Sequence, residues 1–572
     1  MRQGILSIPS VTNRSEQTSG EAAPASGEEL FFPEKSRAEC LVTLAVFVVS
    51  CAYLRVFVNG LTFNADEGIA LQGASRILHG QVLYRDFFSF LTPGSFYWTA
   101  FLFRIFGSSM LVARLTLMIY GALYSSLTYL VARRTTSRWT SLAAAYLLLI
   151  SALPTRFIFI HNWDSSLWAL GATYAAVLFL QTGRPRAAFA TGTLTAWTFL
   201  FEQSKGACLG FALVAAFAWI AWSSNRSAFR RFSAWAAMGI GATWPFLLVT
   251  GYWAHVGALR QMWNDWLWPL HHYASANAVS YGAIFKSYED WNDVFANSSW
   301  LGRGIAALIL SPCIVIDLLP ILAAASLIVA MRAIIKRERE TSTLAYYVLV
   351  SAAASSMGLC AVLSRRADTA HLIFAGPPLF LVLPWLIQVP TVLRWLPGAG
   401  SRWLAGFFLG SFSLYGAVPI TARARMSVPT FTRRGALEVG QQNGGLEYLM
   451  SHTYPGERVL VYPYSPLLYY LTDTYSPATF DFLQPGMHTR EQFDEAVRAV
   501  EADRTPLVLY ETSFFSDSLY RFWPSTSPEA IAREPMRELL LSEYRPCAII
   551  KGDDRFVAFW RKDIPCPPKP AP

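Results

Sequence analysis

Long apolar runs separated by short polar segments fill the chain to about residue 420, where the pattern changes. The first run, about 39–58, is long enough as a helix to cross the roughly 30 Å hydrocarbon layer of a membrane. Further runs fall near 109–131, 139–156, 164–181, 187–203, 206–222, 233–252, 310–332, 342–363, 371–389 and 403–420. Residues 303–335 read either as one long helix or as two short ones, and 93–106 are too short and interrupted for a span. From 421 onward, β-rich pieces at 458–462, 506–510, 547–551 and 555–560 alternate with helical patterns near 490–502 and 528–541. The expected fold is an α-helical polytopic membrane protein with about eleven transmembrane helices over 39–420, followed by a small α/β domain over 421–572.

Residues 1–38 are polar and lack the basic segment and apolar core of a cleaved signal, so they read as a disordered cytoplasmic tail. With that end inside, the loops expected on the cytoplasmic side carry Arg133, Arg134 and Arg138; Arg184 and Arg186; Arg226, Arg230 and Arg231; Arg332, Lys336, Arg337 and Arg339; and Arg394 and Arg402. All five obey the positive-inside rule. An odd number of spans then places 421–572 outside, an extracytoplasmic domain on a multi-pass protein of a bacterial-type inner (plasma) membrane.

Composition agrees with this topology. Hydrophobic residues make up 53% of the 572 and charged ones 15%, against about a quarter charged in a soluble chain. The net charge of +9 is dispersed among the loops rather than gathered in a patch, which argues against a nucleic-acid partner. Of seven cysteines, five lie in or beside apolar runs; Cys547 and Cys566 fall in the C-terminal domain, where an oxidising compartment would permit a disulfide.

The first outer loop, about 59–108, holds the most informative polar run: Asn64-Ala65-Asp66-Glu67-Gly68, a helical pattern to His79-Gly80, Tyr84-Arg85-Asp86-Phe87-Phe88, and Thr92 to Trp98. Asp66 and Glu67 either cap the helix that follows or present carboxylates at headgroup depth, where a lipid-borne substrate carries its head. His161-Asn162-Trp163-Asp164 and Glu202-Gln203-Ser204-Lys205 place further ionisable groups close to hydrocarbon. Glu202 and Lys205, three residues apart, either pair with each other or serve a site. His271-His272 point apart on a helix and do not make a metal pair. Arg365-Arg366-Ala367-Asp368-Thr369-Ala370-His371 is a basic group on the wrong side for the topology rule; it either snorkels to lipid phosphates or holds a specific anion. The C-terminal domain has no phosphate loop, GxSxG or HExxH, hence no recognisable chemistry of its own.

These features resemble the GT-C superfamily of membrane glycosyltransferases, especially members similar to the protein O-mannosyltransferases and the lipid A aminoarabinose transferase. The resemblance rests on Asp66-Glu67 after the first span, the helix to His79-Gly80, the Tyr84 to Trp98 segment, the Arg365 to His371 element and the outer C-terminal domain. It implies transfer of a hexosyl or pentosyl group from a polyprenyl-phosphate sugar to a glycan, lipid or protein acceptor at the outer face, with inversion. Asp66 and Glu67 are then the catalytic candidates, with Asp66 as general base. Arg365, Arg366 and Lys205 would hold the donor phosphate, and Asp86, Asp164, Glu202 and His371 would position substrate. Glu67 and Asp164 would alternatively bind a divalent metal ion through hard oxygen ligands; no cofactor is otherwise implied. A transporter or flippase of lipid-linked saccharide is the rival from another class. It would place ionisable groups near the midplane in related halves, whereas here the acids cluster at one face.

Overall fold

The computed structural model describes residues 37–223, 232–279, 281, 296–336, 341–384, 398–512, 523, 525–532, 534–550 and 556–568. Most of the expected N-terminal tail, Arg226, Arg230, Arg231, Arg337, Arg339, Arg394 and the end of the 371–389 run lie outside them. The membrane part begins with α1 (Arg37–Leu54), the first-loop helices α2 (Ala65–Leu78) and α3 (Gly94–Phe106), and α4 (Met110–Ala132). It continues through α5 (Arg138–Ser151), α6 (His161–Thr182), α7 (Pro185–Phe201), α8 (Gln203–Ser223) and α9 (Phe232–His255). Two short helices, α10 (Leu259–Leu267) and α11 (Pro269–Asn277), precede α12 (Trp300–Ile335) and α13 (Thr341–Leu363), then α14 (Thr369–Phe374), α15 (Gly376–Leu379) and α16 (Gly398–Ala424).

Seven helices among the described residues are long and apolar enough to cross a membrane, where the sequence predicts about eleven over the whole of 39–420. The run 139–156 yields only the 14-residue α5, about 21 Å long, before the chain turns through a 3-10 segment at Leu153–Arg156. The 371–389 run breaks at Gly376-Pro377-Pro378 into α14 and α15. Residues 300–335 form one 36-residue helix that continues through Pro312 and Pro320.

The C-terminal part opens with a hairpin of β1 (Val428–Thr432) and β2 (Gly435–Val439), then α17 (Gly444–His452). It continues with β3 (Leu460–Tyr462), α18 (Pro466–Thr472), α19 (Arg490–Asp503), β4 (Leu507–Glu511), α20 (Pro528–Ala532), α21 (Pro535–Glu543), β5 (Tyr544–Ile549) and β6 (Phe556–Arg561). The four-stranded sheet has the order β3-β4-β6-β5, with β3 parallel to β4 and the other pairs antiparallel. The four pieces expected as β-rich supply these strands. Thr489 starts α19 with a capping box to Gln492, and Cys547 and Cys566 are disulfide-bonded.

The C-terminal part is seated on the first outer loop. Glu438 N donates to Asn59 O at 2.9 Å and Leu61 N to Glu438 O at 2.9 Å, which ties β2 to the chain leaving α1. Arg76 of α2 forms a buried ion pair with Asp481 at 2.7 Å. Gln72 donates to Thr474 O at 3.2 Å. Gly68 lets α18 lie directly on α2: a Cβ there would stand 2.0 Å from Leu467 N.

Candidate functional site

The polar residues at the start of α2 have separate tasks. Asn64 caps the helix by accepting from Asp66 N at 3.0 Å. About 100° separates neighbours on a helix, so Asp66 and Glu67 cannot share a direction. Asp66 is exposed, and the Tyr464 hydroxyl donates to its Oδ1 at 2.6 Å. Glu67 is wholly buried, paired with Arg114 of α4 at 2.8 Å and accepting from Phe159 N at 2.8 Å. Arg114 also donates to Phe157 O. Glu67 therefore ties α2 to α4 and to the turn before α6, and its carboxylate is closed to a substrate.

Beside this helix lies the junction of α7 and α8. Glu202 sits there in extended backbone between the two helices. Its Oε2 accepts from Lys205 at 2.9 Å and from Ser165 at 2.7 Å. The Lys205 ammonium also reaches Ser165 and Ser166 at 2.9 Å and Asn162 O at 3.1 Å. An ammonium has three donors, so these partners saturate it, and its side chain is 3% exposed. Lys205, expected to hold a donor phosphate, is engaged here by protein groups. Asp164 is buried and accepts from Ser95 at 2.6 Å, joining α6 to α3. Asp86 pairs with Arg85 at 2.8 Å and accepts from Val82 N at 2.7 Å, closing its own turn; no contact brings it to Asp66.

The 365–371 segment stands nearby. Arg365, at φ 55, is exposed, and its carbonyl accepts from Val279 N at 2.7 Å. Arg366 donates to Asp368 at 3.0 Å and to Asn277 O at 3.1 Å. Asp368 caps α14 through His371 N at 2.9 Å and meets His371 Nδ1 at 2.8 Å. Burial alone would raise the Asp368 carboxyl, but His371 and Arg366 outweigh it and hold it well below the usual carboxylate range. Two rings connect the parts of the site. Tyr273 of α11 is within electrostatic reach of Arg366, Asp66, Asp368 and Glu202, and Tyr464 of Asp66, Tyr273 and Arg366.

The cluster thus brings together Asp66, Glu202, Arg366 and His371, with His161 at the start of α6 among them. The carboxylates expected to offer a divalent ion do not fit one: Glu67 is ion-paired and Asp164 is bonded to Ser95. Among the described residues no three His, Cys, Asp or Glu side chains converge as ligands. Two openings are lined largely by apolar side chains. One, about 700 Å³, runs between α8, α12 and α13 and is lined by Trp219, Tyr281, Pro320, Leu327, Ala352 and Leu359. The other, about 540 Å³, lies between the chain after α1 and α16, lined by Phe57, Phe63, Asn64, Arg156, Tyr415 and Val418.

Sequence reasoning missed Arg114 and Tyr464. An arginine inside the 109–131 apolar run is a costly residue that signals a buried partner, so Arg114 was detectable. Tyr464 reaches Asp66 across 398 positions and leaves no local signal.

Residues 91–268 match the family described as dolichyl-phosphate-mannose-protein mannosyltransferase, in keeping with the resemblance drawn from the first outer loop. A comparison with curated protein sequences finds no match. Among solved structures, the archaeal oligosaccharyltransferase AglB from Archaeoglobus fulgidus, in complex with an inhibitory peptide and a dolichol-phosphate, is similar at 13% identity and a TM-score of 0.46; the match covers 93% of this chain and 75% of that one. ArnT from Cupriavidus metallidurans, bound to undecaprenyl phosphate, is similar at 12% identity and a TM-score of 0.48, covering 91% of this chain and 97% of that one.

Proposed function

We propose that this chain is a membrane glycosyltransferase of the GT-C superfamily that moves a sugar from a polyprenyl-phosphate-linked donor to an acceptor at the outer membrane face, a reading supported by the family match over residues 91–268. The observation that carries the reading is the division among the carboxylates. Glu67 and Asp164 are buried and Glu202 is held by Lys205 and Ser165, whereas Asp66 is exposed and bonded through its Oδ1 to the Tyr464 hydroxyl. Asp66 is the general base that takes the proton of an acceptor hydroxyl or amine as its lone pair attacks the anomeric carbon. The bond from that carbon to the phosphate oxygen breaks on the opposite side, which inverts the centre. The phosphate leaves with the electron pair as a stable anion, so it needs charge stabilisation rather than an acid.

Exposed Arg365, with Arg366 beside it, supplies that stabilisation, and an arginine fork suits phosphate oxygens. Lys205 acts one step back: by anchoring Glu202, Ser165 and Ser166 it sets the floor of the site. Glu67 likewise holds the start of α2, and so the direction of Asp66, rather than touching substrate. The apolar groove between α8, α12 and α13 gives the prenyl chain of the donor a path through the membrane. The opening beside Asn64 is the approach left to the acceptor.

The test is transfer from labelled polyprenyl-phosphate sugars by the purified chain in membrane vesicles, with bacterial envelope extract as the acceptor source. Covalent label in the extract, with free polyprenyl phosphate released in equal amount, is expected. Label that crosses the bilayer still attached to its lipid would instead identify a flippase.

A further inference from the structure

We propose that Tyr464 is a positioning residue for the transfer reaction, fixing the Asp66 carboxylate, so that the C-terminal domain completes the active site instead of merely covering it. The inference rests on the reading of Asp66 as general base and goes beyond it by assigning a role to a residue and a domain that no sequence motif marks.

The Tyr464 hydroxyl donates to Asp66 Oδ1 at 2.6 Å, which leaves the other carboxylate oxygen for a proton from the acceptor. The Tyr464 ring is braced by Phe482 at 4.8 Å and Trp523 at 5.3 Å between ring centres, both edge-on, so the hydroxyl is aimed rather than free to swing. Tyr464 stands two residues before α18, and α18 is the element that rests on Gly68, two residues after Asp66. The contact is therefore built from both sides: the backbone approach at Gly68 sets the distance, and the Arg76–Asp481 pair at 2.7 Å sets the register.

The other titratable groups facing Asp66 are His161 from the start of α6 and Tyr273 from α11. Behind them stand Glu202 and Lys205 from the α7–α8 junction, and Arg366, Asp368 and His371 from the segment before and into α14. Glu67 faces away, toward Arg114. Tyr464→Phe leaves each of these groups in place and removes the hydroxyl that donates to Asp66.

The experiment measures kcat and KM for the full chain in lipid nanodiscs, comparing wild type, Tyr464→Phe, 3-fluorotyrosine incorporated at position 464, and Asp66→Asn. Phenylalanine keeps the ring contacts and should lose about tenfold in kcat with KM unchanged. Fluorotyrosine, which keeps the hydroxyl donor, should retain the wild-type kcat. If Asp66→Asn is inactive while Tyr464→Phe keeps the wild-type kcat, Tyr464 has no hold on Asp66 and the inference fails alone. If Asp66→Asn transfers sugar at the wild-type rate, Asp66 is not the base, and the inference falls with that reading.

Discussion

Asp66, Glu67 and Gly68 show how much one turn of helix decides. The acidic pair was legible because carboxylates directly after an apolar span are rare without a purpose. The division of labour was not, because which residue faces solvent depends on where α4 and α18 pack. Glu67 is matched to Arg114 with both side chains 0% exposed. Removing one partner of such a pair strands the other, and Glu67→Ala should cost about 3–5 kcal/mol of stability. Thermal unfolding in detergent checks this; a variant that melts like wild type yet transfers no sugar would instead put Glu67 in the reaction. Asp368 offers a second test at this scale. Its folded-state carboxyl lies below its unfolded value, so its contribution to stability is present above the unfolded value and fades as pH falls toward the folded one. Asp368→Asn should therefore lower Tm near pH 7, and the gap to wild type should close below about pH 4. A gap independent of pH would contradict the ion-pair account.

At the scale of elements, periodicity and length served best where one rule governed. The strands β3 to β6 fall on the pieces read as β-rich, since buried strands of a small sheet are short apolar runs between polar turns. The β1–β2 hairpin was missed: Pro429 and the Arg433-Arg434-Gly435 turn interrupt two short strands, of which only a few positions such as Leu437 and Val439 are buried and apolar. Among the membrane helices, hydropathy saw apolar content but not where prolines and short turns cut it, as in the 371–389 run. The Cys547–Cys566 pair joins β5 to the segment after β6, closing a loop of 19 residues. Mass spectrometry of protein from native membranes should find it linked, and Cys547→Ser should destabilise the C-terminal domain by about 3 kcal/mol. Two free thiols in that preparation would contradict an oxidising location for the domain.

For the whole molecule, the picture is of a membrane part that builds the floor of the site and a C-terminal part that closes it. Long apolar runs marked the membrane part because bilayer thickness acts locally on sequence. The docking of the C-terminal part was invisible for the opposite reason. Arg76 with Asp481, Gln72 with Thr474 and Asp66 with Tyr464 are each about 400 positions apart, and no single segment records its partner. The same docking leaves Asp66 as the exposed carboxylate at the cluster, which is the central claim. The most direct measurement is transfer of labelled sugar from polyprenyl-phosphate donors by wild type and Asp66→Asn, with donor binding and Tm followed in parallel. The account predicts a loss of about 10²–10⁴-fold in turnover with donor binding and Tm retained. Turnover equal to wild type in the variant would contradict it.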